Sequence, residues 1–227
     1  MEYLIFLLIS IAIVLFCFWN MNKCKVLTLS EIKVTASSKE NVERKSKKKK
    51  LYLMLAAITC LVITYWVQVL IYRNTGLISF IKLCVLYTIV LSAALIDYKL
   101  KIIPNYLVLI GLGSRALIYV FEIFFETDIK QILVSDAIGL AIGFGLLSVV
   151  SVVTKQALGF GDAKLFAVIG ITLGSFGTYS VLFFSIVISA LASVGLLIFK
   201  KRSRKDSIPF GPCIFTGYLL TLILGSY

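Results

Sequence analysis

From Leu51 onward the chain is a succession of apolar stretches separated by short polar joints. A helix of about 20 apolar residues crosses the ~30 Å hydrocarbon core of a bilayer, and in hydrocarbon a segment must satisfy its own backbone hydrogen bonds. The expected fold is therefore all-α: a polytopic membrane bundle of about eight transmembrane helices. The expected spans are Tyr3–Trp19, Leu51–Tyr72, Leu77–Ile96, Asn105–Phe125, Ile132–Thr154 and a last one from Phe210 to Leu224. The 37-residue run Ala163–Phe199 is too long for one span and fits two, with Gly174-Ser175-Phe176-Gly177-Thr178 as the turn between them. A hydrophobic content of 60% and a mean hydropathy of +1.01 agree with this class.

The only charge ahead of the first apolar stretch is Glu2, and the basic residues follow it, which is the reverse of a cleaved signal peptide. Residues 1–19 are therefore expected to be an uncleaved anchor with its N-terminus outside, 20–50 a basic cytoplasmic segment, and 51–227 the membrane-embedded domain. A formal net charge of +12 would suit a nucleic-acid binder, but 10 of the 23 lysines and arginines lie between Lys23 and Lys50. A basic block between two apolar spans is a topology signal and a contact with anionic lipid, so lipids, and not nucleic acid, are the expected partner. With the N-terminus outside, 19 of the 23 basic residues fall on the inner side, while the outer joints carry little beyond Arg73, Glu126, Asp128 and Lys130. This arrangement places Asp97 and Asp162 on one face, the cytoplasmic one.

The sequence contains no histidine, which removes Ser-His-Asp and Cys-His mechanisms and H-E-x-x-H zinc sites together. Its five cysteines, Cys17, Cys24, Cys60, Cys84 and Cys213, form no C-x-x-C pair, so neither a metal site nor a cofactor is expected. A hydrolase of this composition must use carboxylates, or a serine such as Ser151 or Ser203 with a lysine base.

Two aspartates stand at the edges of apolar runs. Asp162 lies in Leu158-Gly159-Phe160-Gly161-Asp162-Ala163-Lys164-Leu165, bracketed by glycines that allow close approach of another segment. Asp97 lies in Ala94-Leu95-Ile96-Asp97-Tyr98-Lys99, shortly before Ile103-Pro104-Asn105. Carboxylates at a membrane edge are costly to desolvate and persist where something partners or uses them. Brought together, two of them share a proton and can hold a water between a general base and a general acid, as in aspartic proteases. Taken singly each caps a helix, and Asp162 stands where an N-cap belongs. A third reading makes the pair an ion or proton site of a transporter or assembly factor.

Asp97 with Ile103-Pro104-Asn105, then Gly159-Phe160-Gly161-Asp162-Ala163-Lys164-Leu165, then Ile208-Pro209-Phe210-Gly211-Pro212, resembles the type IV prepilin peptidase family of membrane aspartic proteases. The three pieces follow the family's order and cover the chain from about Tyr87 to the end. The resemblance implies Asp97 and Asp162 as the catalytic pair, with Gly159, Gly161, Lys164, Pro104, Asn105, Pro209, Gly211 and Pro212 as supporting motif positions. It implies an endopeptidase of the bacterial plasma membrane that trims prepilin or pilin-like precursors at the cytoplasmic face. Lys164 is expected either to orient Asp162 or to snorkel to lipid headgroups. Full-length members carry two C-x-x-C pairs associated with N-methylation after the first span. Segment 20–50 has only Cys24, so methyl transfer is not expected here.

Arg115, near the middle of the Asn105–Phe125 span, is expected either to snorkel or to pair with a carboxylate such as Asp136, with contact to a substrate glutamate as the sharper alternative. Gly139-x-x-x-Gly143 and Gly170-x-x-x-Gly174 are expected to be close helix contacts. The topology has a direct test. In intact cells, a cysteine placed at Ser46 or Lys201 is expected to be shielded from an impermeant thiol reagent and one at Thr127 to be labelled; labelling at Ser46 would invert the arrangement.

Overall fold

Five helices follow one another in residues 77–125, 128–153, 159–198 and 209–224, which are the residues described by the computed structural model, and no strand occurs among them. The expected spans Tyr3–Trp19 and Leu51–Tyr72, and with them the anchor 1–19 and the segment 20–50, lie outside the described residues. Helix α1 is Leu77–Leu100, α2 is Asn105–Phe125, α3 is Ile129–Val153, α4 is Phe160–Ile198 and α5 is Gly211–Leu224. The first four contain stretches long and apolar enough to cross a membrane, so the chain is a multi-pass membrane protein; α5, with 14 residues, is shorter.

The position of each helix follows from how much of its circumference is buried. On α1 every residue from Leu86 to Ala94 is buried, so this helix is covered on all sides and is the central one. On α2 the buried residues are Leu107, Val108, Gly111, Arg115, Ile118 and Glu122, while Leu109, Leu117, Phe121 and Phe124 face outward. Helix α5 docks on α1 through Tyr218, whose hydroxyl donates to the Leu83 carbonyl at 3.0 Å, and through Phe215 and Tyr218 against the Tyr87 ring.

Helices α3 and α4 touch backbone to backbone along the two expected glycine pairs. A methyl group on Gly139 would collide with the carbonyls of Gly170 and Gly174, and one on Gly143 would fall 2.5 Å from the Phe166 carbonyl oxygen. Helix α3 also carries one wide π-helical turn at Ala141–Leu146, within this contact.

The expected turn inside the Ala163–Phe199 run is present and is confined to one residue. Gly174 has φ 71° and ψ −167°, and residues 175–178 are already helical. The same methyl position on Gly143 lies 3.2 Å from Thr178 Cγ2 as well as beside the Phe166 carbonyl. Twelve residues along a straight helix are ~18 Å apart, so the chain folds back at Gly174. Only glycine adopts this backbone conformation freely.

A break in hydrocarbon strands backbone groups that water cannot reach. An unbroken helix would join the Ile171 carbonyl to the Ser175 N–H. Here Ser175 donates to Ser135 Oγ at 3.2 Å, and the Ile171 carbonyl accepts from Arg115 Nε at 2.9 Å. Arg115 is 2% exposed and also reaches Asp136 Oδ2 at 2.6 Å and Glu122 Oε2 at 2.9 Å, with its guanidinium 3.9 Å above the Tyr119 ring. Tyr119 donates to the same Asp136 oxygen at 2.7 Å, and Lys82 stands 3.6 Å from Glu122. The expected Arg115–Asp136 pair is thus present, and Lys82 and Glu122 extend it into a network joining α1, α2, α3 and α4.

Removing one member of such a network leaves uncompensated buried charge, at a cost of about 3–5 kcal/mol. Arg115→Leu is therefore expected to lower the detergent melting temperature and the accumulated protein strongly. The combination with Glu122→Gln and Asp136→Asn is expected to recover part of the loss, and a wild-type melting temperature for Arg115→Leu alone would contradict the network's role.

Candidate active site

The two sequence-selected aspartates lie at helix ends. Asp97 is in the last turn of α1 and Asp162 in the first turn of α4, 6% and 9% exposed respectively. The segments that carry them meet where Ile103, in the connection after α1, lies against Gly161.

Asp97 is fixed from two directions. Its backbone carbonyl accepts from the Lys101 N–H at 2.8 Å, and Lys101 is left-handed with φ 55°, the geometry that closes a helix C-terminus. Its carboxylate oxygen Oδ2 accepts from the Gly211 N–H at 2.7 Å, across 114 residues. Gly211 is the first residue of α5, so this donor is one that a helix start leaves unpaired, and it carries the positive end of the helix dipole.

The Gly211–Pro212 pair thereby acquires a structural reason. A methyl group on Gly211 would lie 2.8 Å from Asp97 Cβ and 2.9 Å from its Oδ2, so only glycine allows the approach. Pro212 sits in the first turn, where a missing N–H costs nothing, and the turn is closed by the Ile214 N–H on the Phe210 carbonyl at 3.0 Å. Pro209 stands just before this turn.

Asp162 is not the N-cap expected from sequence. The helix begins at Phe160 and its first turn is closed by the Asp162 N–H on the Gly159 carbonyl at 3.0 Å, so Asp162 is the third helical residue. From there its Oδ2 turns back toward Gly159, lying 3.3 Å from where a methyl group on that glycine would stand. Gly161 has its own reason: a methyl there would lie 3.1 Å from Cβ of buried Ile103. The 103–105 segment and the glycine-flanked segment therefore abut.

Lys164 does not pair with Asp162. Its ammonium donates to Asn105 Oδ1 at 2.9 Å, at the first residue of α2, just after Pro104. Two buried carboxylates thus stand on separate helix ends, and such groups, when they share a proton, can act as acid and base. The partners that sequence reasoning missed are Ile103, Lys82 and Glu122. For the last there was a signal, since Arg115 and Glu122 are seven residues apart and so share a helix face.

Residues 84–194 match the model of the Type IV leader peptidase family. Three curated relatives, each named "Prepilin leader peptidase/N-methyltransferase", are similar to the chain. The Bacillus subtilis protein is 36% identical over 88 residues, covering 39% of this chain and 36% of the relative. The Pseudomonas aeruginosa protein is 32% identical over 146 residues and the Pseudomonas putida protein 30% over 143, covering 60% and 58% of this chain and 46% of each relative. Through this segment, just under half of its length, the chain is similar to the type IV leader peptidase family. It spans less than half the length of these curated relatives. No solved structure matches.

Two glycine positions give opposite expectations for a single methyl group. Gly211→Ala is expected to destabilise by about 1–3 kcal/mol through overpacking on Asp97. Gly113→Ala, where a methyl meets nothing within 4 Å, should be neutral or stabilising by about 0.5–1 kcal/mol. Unfolding in detergent measures both, and equal stabilities would contradict the Gly211–Asp97 packing.

Proposed function

We propose that the chain is an aspartic endopeptidase that removes the leader from prepilin or pilin-like precursors, with Asp97 and Asp162 as its catalytic pair. The carrying observation is a pair of buried carboxylates at the ends of α1 and α4, on segments that meet at Ile103 and Gly161, with Asp97 held by the Gly211 N–H. The family match and the names of the curated relatives support the substrate class. In this reading the pair lies at the cytoplasmic edge of a bacterial inner membrane, with the N-terminus outside, as the distribution of lysine and arginine suggests.

The reaction needs only the pair and a water. One carboxylate, ionised, takes a proton from the water as its oxygen attacks the scissile carbonyl carbon. The other, protonated, donates to the carbonyl oxygen. Collapse of the tetrahedral intermediate breaks the C–N bond, with the departing nitrogen taking up a proton from the pair. Gly159, Gly161, Pro104, Pro209, Gly211 and Pro212 act as supports that bring the helix ends together.

The relatives' names join peptidase to N-methyltransferase. Segment 20–50 holds one cysteine, Cys24, and we assign this chain the peptidase step alone. The test uses membranes or purified protein with a pilin-like precursor. Asp97→Asn and Asp162→Asn are each expected to slow cleavage by roughly a hundredfold or more while still accumulating, because asparagine keeps the shape but cannot exchange the proton. Near-normal cleavage by either variant rejects the paired mechanism. Absence of cleavage by the unaltered protein moves the pair to the ion-site reading. With S-adenosylmethionine present, the product's mass should show trimming without an added methyl.

A further inference from the structure

Lys164 is the fifth residue of α4, two positions beyond Asp162. Its neighbours Ala163 and Leu165 are fully buried, so Lys164 stands on the outward stripe. No ion pair joins it to Asp162, two residues away. Its ammonium instead donates to the Asn105 side-chain oxygen at 2.9 Å, across 59 residues.

The ends of that bond are tied to the two aspartates. On one side, Asn105 opens α2 directly after the four-residue connection from α1, and the connection begins with Lys101 bonded to the Asp97 carbonyl. On the other side, Lys164 follows Asp162 within one helical turn. Between them Ile103 packs on Gly161, so a polar and an apolar contact lie side by side along one short junction.

We propose that Asn105 and Lys164 are positioning residues: their hydrogen bond clamps the start of α2 to the N-terminal part of α4 and so sets the separation of Asp97 and Asp162. The clamp deepens the proteolytic reading given above and rests on it for its kinetic consequence, though not for its geometric one. The competing account is a lysine that merely snorkels to headgroups, for which any cation at 164 serves and Asn105 is irrelevant.

Asn105→Leu keeps the Lys164 charge and removes its acceptor, whereas Asn105→Asp keeps an acceptor. With purified protein and a pilin-like precursor, Asn105→Leu and Lys164→Met are each expected to lower kcat about tenfold with KM unchanged, since a small misplacement of reacting groups is felt in the chemical step. Their combination should be no worse than either alone, and Asn105→Asp should stay within about twofold of wild type. A second readout is independent of catalysis. With the five native cysteines replaced by alanine, the Asp97→Cys/Asp162→Cys pair should be bridged by a short bifunctional thiol reagent several-fold faster when Asn105 is intact than when Asn105→Leu is added. An unchanged bridging rate overturns the clamp whatever kcat does. If the unaltered protein cleaves no precursor, the proteolytic reading falls and the bridging rates alone decide the clamp.

Discussion

Hydrocarbon gives a backbone nothing to bond to, and the described fold is arranged around that single deficiency. At the break in α4 and at the start of α5, named groups answer the exposed amide or carbonyl. At Gly174 the answers are Ser135 for the Ser175 N–H and Arg115 for the Ile171 carbonyl. The first N–H of α5 is answered by the carboxylate of Asp97. Arg115 meets the same demand twice over, since its own charge must be neutralised by Asp136 and Glu122 once it has been drawn inside.

The same economy accounts for the candidate site. A carboxylate at a membrane edge needs donors, and a helix start has donors to spare. Asp97 uses those of α5, and Asp162 turns back toward the residue before its own helix. The two aspartates come from segments 65 positions apart in sequence and depend on a third segment a further 49 positions along. Glycine at 161 and 211 is what allows these three segments to crowd together, because each would otherwise place a methyl against Ile103 or Asp97.

Much of this was legible in the sequence, for identifiable reasons. Apolar length predicts the helices α1 to α4, and small residues four apart predict the contact of α3 with α4. A lone arginine in a span predicts a buried carboxylate partner, and Asp136 is that partner. What stayed hidden depends on contacts with no local signature. Nothing in Ile208-Pro209-Phe210-Gly211-Pro212 discloses that its glycine amide meets Asp97, and nothing around Lys164 points to Asn105. The N-cap assignment of Asp162 failed because flanking glycines leave the helix start ambiguous by two residues. The five-residue turn shrank to one because Gly174 alone supplies the reversal.

The composition of the buried network bears on how the protein meets the membrane potential. A transmembrane voltage does work of ~2.3 kcal/mol on each elementary charge carried across 100 mV. Lys82 and Arg115 supply two positive charges, and Glu122 and Asp136 supply two negative ones. Passing a proton from Lys82 to Glu122 would leave the total at zero. The cluster that locks four helices together therefore offers the electric field no net charge to pull on.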